Sequence, residues 1–254
     1  MLGIKINIQR FQQLLDRTQE AIKNGKQIKI AYANPHVLNS IYGSKEMTYI
    51  FNHFFDCIYP DGIGVVLADK LWGKFLERRV TLSDSYSQLF DFCIHQEYSI
   101  YFLGGKRKTI DKAKVFLQEH FPRLKVAGFM NGFYFEENMT DEEIVRIINE
   151  AAPHILLVGL GTPRQEKWIY HHARDLRIPV LWTCGSLLSI ISGERKRPPR
   201  WIKKLYLEWL SRWINEPLRL FNRYIVGNPK FAYRILKEYF HQGLPRNSKH
   251  SNHS

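Results

Sequence analysis

Short apolar runs alternate with longer amphipathic segments along most of the chain. Six of these runs have the length and composition of strands: Ile28 to Ala31, Cys57 to Tyr59, Ser99 to Leu103, Lys125 to Gly128, His154 to Val158 and Val180 to Thr183. Helical periodicity marks residues 8 to 24 and then Pro35 to Tyr42, Gly64 to Trp72, Ser85 to His95, Thr109 to His120, Asp141 to Ala151 and Pro163 to Arg174. This alternation predicts an α/β fold with a mostly parallel sheet that is covered by helices on both faces.

The alternation of strand and helix patterns ends near Gly193, and Pro198 and Pro199 follow shortly after it. Only helical patterns follow, rich in arginine and aromatic residues, and the residues from Gly243 onward are polar. We therefore predict an α/β core over 1–193, a basic aromatic helical appendage over 194–242 and a disordered tail over 243–254.

Charge narrows the classes of partner. The net charge is +13, and the segment from Glu194 to Phe240 holds twelve Lys or Arg residues against four Glu residues. Such a segment favours polyanions: nucleic acid, anionic lipid headgroups or a diphosphate. No apolar run reaches eighteen residues and the N-terminus lacks the apolar stretch of a signal peptide, so we expect a cytoplasmic protein. The three cysteines are far apart, which argues against a disulfide framework or a structural zinc site.

The segment from His154 to Trp168 reads as a buried strand, two glycines and a helix. One interpretation is a well-capped helix in which Thr162 is the N-cap, Pro163 the first helical residue and Gln165 the partner in a capping box. The other is a ligand loop, because Gly159 and Gly161 allow close backbone approach while free N–H groups attract phosphate. The segment lacks the third glycine of a dinucleotide site and the Lys-Ser/Thr of a P-loop.

Four other residues, two of them considered as a pair, also have two interpretations. Asp61, in Pro60-Asp-Gly62, belongs either to a turn or to a strand end where its carboxylate could take a proton from a hydroxyl. Asn34 could cap a helix that begins at Pro35 or could lie in a site. Arg79 and Asp84 could form a surface pair or hold a polar substrate.

In the appendage, Trp201, Leu205, Trp209 and Trp213 are each four residues apart, so they form one apolar stripe on a regular helix. Such a stripe suits packing on the core or contact with a membrane interface. Arg219 and Arg223 are also four apart, and two guanidiniums on one face can bind a diphosphate.

Taken in order, these motifs resemble the WecG/TagA/CpsF glycosyltransferase family from about Ile30 to Phe231. The resemblance is carried by Asn34-Pro-His-Val, Pro60-Asp-Gly, Arg79-Val-Thr with Asp84, Phe102-Leu-Gly-Gly, Gly159-Leu-Gly-Thr-Pro-Arg-Gln-Glu-Lys-Trp168, Ser192-Gly with Lys196-Arg-Pro-Pro-Arg-Trp201, Glu208-Trp with Arg212, and Glu216-Pro with Arg219 and Arg223.

The resemblance implies a Rossmann-like core and an inverting transfer of a sugar, usually of the N-acetylmannosamine type, from its UDP form to an undecaprenyl-diphosphate-linked sugar. In that family the reaction serves cell-surface polysaccharide synthesis, and the resemblance implies that it takes place at the inner face of the membrane. Asp61 is similar to the family's proposed base, and Asn34, Arg79 and Gln165 fall around its substrate pocket. Arg212, Arg219 and Arg223 look like the appendage arginines that close over the site. We expect no metal and no cofactor, since the sequence has no Asp-x-Asp signature.

The chain departs from the family pattern at Tyr32, where Thr is usual, at Leu82, where Gly is usual, and at Ser189, where a carboxylate is usual. These departures leave open a catalytically weakened, membrane-bound scaffold. The basic charge leaves open a nucleic-acid-binding protein, although no helix-turn-helix, zinc-finger or RNP signature accompanies it. We expect a UDP-sugar, a polyprenyl-diphosphate acceptor and an anionic membrane surface as partners and no nucleic acid; a homo-oligomer remains open.

Overall fold

In the computed structural model, which describes residues 1–8, 10–72, 80–195 and 208–242, one sheet contains six strands. In chain order β1 to β6 are Ile28–Ala33, Cys57–Pro60, Ser99–Gly104, Lys125–Met130, Ile155–Gly159 and Val180–Thr183. Their order across the sheet is β2-β1-β6-β5-β3-β4, and every neighbouring pair is parallel. The predicted parallel α/β class is confirmed.

Helices connect the strands and cover both faces of the sheet. Helices α1 to α9 are Phe11–Lys23, Pro35–Ile41, Lys45–Tyr49, Ile63–Leu71, Leu82–Gln96, Arg107–His120, Asp141–Ala151, Arg164–His172 and Leu187–Ile191. A π-helical turn at Ile50–Phe54 follows α3, and a 3₁₀ turn at Tyr134–Glu137 precedes α7. The C-terminal part consists of α10 (Glu208–Asn215), α11 (Pro217–Phe221), a π-helical turn at Asn222–Val226 and α12 (Gly227–Gln242).

Two apolar cores lie on opposite faces of the sheet, because successive strand residues point to opposite sides. In β5, Leu156 and Val158 enter the core under α7 and α8, while Ile155 and Leu157 enter the core under α5 and α6. Both faces of the central strands are therefore shielded from solvent, which explains why these strands are continuous apolar runs in the sequence.

The described part of the C-terminal segment packs on the α/β core. Phe231 and Ile235 of α12 are buried in the same apolar core as α2 and α4. Asn39 of α2 donates from Nδ2 to the Gly227 carbonyl at 2.7 Å, and Arg234 donates to the Asn39 Oδ1 at 2.9 Å. The guanidinium of Arg234 also lies 4.0 Å from the centre of the Tyr42 ring. These contacts fix α12 beside the first strand–helix unit.

No described helix combines the length and the apolar character that crossing a bilayer requires. Within the predicted stripe, Trp209 and Trp213 lie on α10, whereas Trp201 and Leu205 fall outside the described residues, as does the tail predicted over 243–254.

Candidate active site

A cavity of about 500 Å³ lies at the carboxyl edge of the sheet. The segment after every strand contributes a residue to it, in strand order Asn34, Asp61, Gly105, Gly132, Gly161 and Gly185. Ligands of open parallel sheets bind at this edge, where the strand ends and their loops meet. The fold therefore assembles a site from segments that are distant in the sequence.

Asp61 and Asn34 are neighbours because β1 and β2 pair with Ala33 opposite Pro60, so the next residue of each strand leaves the sheet at the same place. The Asp61 amide donates to the Ala33 carbonyl at 2.8 Å, and Asn34 Nδ2 donates to Asp61 Oδ2 at 3.2 Å. Asn34 also caps α2, since its Oδ1 accepts from the Val37 amide at 2.9 Å. The capping interpretation is confirmed, and the same side chain holds one oxygen of the Asp61 carboxylate.

The loop after β5 differs from the capping-box prediction, which is wrong. Helix α8 begins at Arg164, and no side chain caps it. The Thr162 hydroxyl instead donates to Glu166 Oε1 at 3.0 Å. Gly161 has φ of +81° with open space where a Cβ would stand, so its backbone conformation favours glycine while its surface faces the cavity. Gly159 is needed for packing, because a Cβ there would lie 2.5 Å from the Gly185 carbonyl oxygen.

A buried polar network lies behind this loop. Gln165 and Glu166 are both fully buried, and Gln165 Nε2 donates to Glu166 Oε1 at 2.8 Å and to the Tyr32 hydroxyl at 3.1 Å. Burial raises the pKa of Glu166 to about 7, although hydrogen bonds from Gln165 and Thr162 favour its charged form. Burial, with the nearby Glu166 and Asp61 carboxylates, raises the pKa of Tyr32 well above its ordinary value, so the phenol stays protonated.

Cationic side chains also line the cavity. They are Lys106, Arg164, Arg195, Arg219 and Arg223. Arg219 donates to Glu216, and this guanidinium, with Arg195 3.9 Å from the same carboxylate, holds the pKa of Glu216 below its ordinary value. Guanidinium groups around a concave site suit the bidentate recognition of phosphate oxygens.

His36 and Arg223 lie where this cavity meets a second, more apolar one. Burial, and then the nearby Arg223 guanidinium, lowers the pKa of His36 to about 4, so the imidazole is neutral at neutral pH. The Arg223 Nε is buried and has no hydrogen-bond partner within the described ranges. His36 was not among the predicted site residues, although it lies two residues after Asn34.

Comparisons with known proteins identify the family of the chain. Residues 1–244 match the glycosyl transferase WecG/TagA/CpsF family. The chain belongs to this family. An N-acetylglucosaminyldiphosphoundecaprenol N-acetyl-beta-D-mannosaminyltransferase of Bacillus subtilis (strain 168) is 31% identical over 181 residues, which are 71% of this chain and 68% of that protein. A protein of the same name from Staphylococcus aureus (strain MW2) is 25% identical over 240 residues, 93% of this chain and 91% of that protein.

The chain is thus a WecG/TagA/CpsF-type glycosyltransferase, and its departures from the family pattern fall in the cavity. Tyr32, Leu82 and Ser189 all line it. A Cβ on Gly185 would lie 2.7 Å from the Tyr32 hydroxyl, so the large phenol fits beside a glycine. Although Ser189 lacks a carboxylate, Glu194 lines the same cavity and accepts from the Thr109 hydroxyl at 2.7 Å.

Three of the predicted site residues, Asp84, Arg79 and Arg212, are not found among the described residues that line the cavity. Asp84 is exposed in the first turn of α5 and does not line the cavity, which contains Thr81, Leu82 and Ser83 instead. Arg79 lies outside the described residues, and Arg212 lies on α10 with its side chain not described. In the portions of the chain that the structure describes, no three His, Cys, Asp or Glu side chains cluster as metal ligands would.

Proposed function

We propose that this glycosyltransferase inverts the anomeric centre of a UDP-sugar, an N-acetylhexosamine such as N-acetylmannosamine, and transfers the sugar without a metal ion. The acceptor is a sugar linked to undecaprenyl diphosphate, and the product enters bacterial cell-surface polysaccharide synthesis. The names of the relatives support this choice, since both describe N-acetylmannosaminyl transfer to N-acetylglucosaminyldiphosphoundecaprenol.

One observation carries the proposal: the Asp61 carboxylate and the Arg219 and Arg223 guanidiniums line the same cavity. A carboxylate that can take a proton and guanidiniums that can bind phosphate are the two kinds of group this reaction needs. The reaction brings two diphosphates into the site, one on the donor and one on the acceptor, which fits the surplus of cationic side chains around the cavity.

The chemistry follows from these positions. Asn34 holds one oxygen of Asp61, and the carboxylate takes the proton of the acceptor hydroxyl as that oxygen attacks the anomeric carbon. A new glycosidic C–O bond forms on one face while the C–O bond to the diphosphate breaks on the other, and UDP leaves with the electron pair. Guanidiniums stabilise the charge that develops on UDP, in the role that a metal ion has in other transferases.

We further propose that the protein works as a peripheral protein on the inner face of the membrane. Several apolar side chains of the C-terminal helices are exposed, among them Ile214, Leu218 and Phe221. Basic residues beside exposed apolar ones favour an anionic lipid surface.

The test is a donor screen in the presence of EDTA. The purified chain is incubated with UDP-N-acetylmannosamine, UDP-N-acetylglucosamine or UDP-glucose and a short-chain N-acetylglucosaminyl-diphosphate lipid. We expect UDP release and a product of inverted configuration by NMR. A chain that releases no UDP with any donor would instead be the scaffold considered above, and activity that returns only when Mg²⁺ is added would contradict the metal-free reaction.

A further inference from the structure

A second cavity, of about 680 Å³, adjoins the candidate active site between α4 and the C-terminal helices. Its size falls within the range of roughly 300–1,000 Å³ that is usual for sites of small organic ligands. Helix α4 contributes Ile63, Leu67 and Leu71, and the C-terminal helices contribute Tyr224, Phe231 and Leu236. We call this cavity the apolar groove.

The groove and the polar cavity are continuous. Five residues line both: Asn34, His36, Asp61, Thr81 and Arg223. Among the described residues that line the groove, Asp61 and Arg223 carry the only charges, and both lie at this junction. A ligand that spans the two cavities would therefore have an apolar end in the groove and a charged or polar part at the junction, beside Arg223 and Asp61.

The walls of the groove are accessible. Leu67 is 53% exposed, Leu71 42% and Leu236 46%. At the bottom of the groove, Gly64 allows α4 to pack closely against α2, because a Cβ at this position would lie 2.8 Å from Pro35 Cγ. Aliphatic side chains that converge on an open groove next to a polar site are typical of a surface that binds an apolar ligand.

We propose that the groove binds the isoprene units nearest the diphosphate of the lipid acceptor. This inference rests on the proposed function and adds to it that part of the polyprenyl chain leaves the bilayer during transfer. Such an acceptor carries its diphosphate and sugar at one end of the hydrocarbon, and the groove likewise has its two charged lining residues, Arg223 and Asp61, at the end that it shares with the polar cavity. Binding of the hydrocarbon would hold the sugar hydroxyl beside the carboxylate of Asp61, the proposed general base.

The first test compares two acceptors that are soluble without detergent, N-acetylglucosaminyl diphosphate carrying a single isoprene unit and the same compound carrying several. In the wild type we expect a KM about tenfold or more lower for the longer chain, as for burial of several methylene groups. Leu67→Gln and Leu236→Gln should raise the KM for the longer acceptor about tenfold and leave that for the short acceptor unchanged.

Two further variants separate groove occupancy from general effects. Val115→Gln changes an aliphatic residue of equal exposure, 53%, on α6 outside the groove, and it should alter neither KM. Ala232→Phe keeps the groove apolar but fills it, so it should weaken only the longer acceptor even if the glutamine variants unfold. Equal KM values for the two acceptors in the wild type would overturn the inference, while UDP release from both would leave the proposed function intact.

A direct binding measurement decides the matter if no turnover occurs with any acceptor, in which case the proposed function fails. An isoprenoid diphosphate without sugar and inorganic diphosphate are titrated calorimetrically into the full chain. We expect the isoprenoid compound to bind at least tenfold more tightly, and Leu67→Gln to remove the difference. Equal affinities would overturn the inference, as would sedimentation of the wild type as a dimer that Leu67→Gln dissociates, since the groove would then be a subunit interface.

Discussion

At the scale of single residues, Asp61 and Asn34 show how the register between β1 and β2 brings two polar side chains together in the candidate site. Because Ala33 pairs with Pro60, the two side chains leave adjacent strands together, and the amide of Asn34 orients the carboxylate. Of the two interpretations of Asn34 from the sequence, the helix cap is confirmed, since its side-chain oxygen caps α2, and its side-chain nitrogen donates to Asp61 in the cavity.

We predict that Asp61→Asn lowers the turnover number for UDP release by about 10² or more, as loss of a general base does. The asparagine keeps an oxygen that can accept from Asn34, so UDP affinity measured by calorimetry should be nearly unchanged. Asp91→Asn is the matched control, because this carboxylate is exposed on α5 and lies outside the cavity. If the two variants turn over at the same rate, Asp61 is not the base.

The buried carboxyl of Glu166 makes a second residue-scale prediction, for stability against pH. Its pKa is raised from 4.5 to about 7 in the folded chain, so the folded state holds a proton that the unfolded state releases. The contribution of the protonated Glu166 carboxyl to the free energy of unfolding is fully present below pH 4.5 and is lost as the pH rises through about 7. Relative to Glu166→Gln, the wild type should lose about 2–3 kcal/mol of unfolding free energy between pH 5 and pH 8.

This prediction is measured by denaturant titration of both proteins at several pH values. The glutamine keeps an oxygen for the Thr162 hydroxyl and the Gln165 amide, so the comparison isolates the charge. Glu119→Gln, at an exposed position on α6, controls for the general loss of one negative charge. Parallel pH profiles for the wild type and Glu166→Gln would contradict a raised pKa at Glu166.

At the scale of elements, short apolar runs predicted all six strands, including the edge strand β4, which is only partly buried, and β6 was predicted with its observed bounds. Helices α3 and α9 were missed because each has only five residues, too few for a helical period to show. The order of the strands could not be predicted either, since it depends on packing between distant segments. The capping box failed for a local reason, because the Thr162 hydroxyl is used by Glu166.

At the scale of the whole molecule, cationic side chains from the α/β core and from the C-terminal helices line one cavity at the sheet edge. Spacing placed Arg219 and Arg223 on one face, but only the folded chain brings Arg164 and Arg195 to the same cavity. Helix α12 also completes the apolar core through Phe231 and Ile235. Deleting everything after Gly193 would expose that core, so membrane attachment is better tested by single substitutions in the full chain.

Leu218→Glu should weaken attachment to phosphatidylglycerol vesicles by about tenfold or more. Leu218 on α11 is 95% exposed, and burying a leucine in an apolar environment contributes about 1.5–3 kcal/mol. The new carboxylate also repels anionic headgroups. Val115→Glu introduces the same charge at a 53% exposed position on α6, whose core lies on the opposite sheet face from that of α12. It should sediment with vesicles like the wild type; equal losses in both variants would mean that net charge, rather than insertion of Leu218, governs attachment.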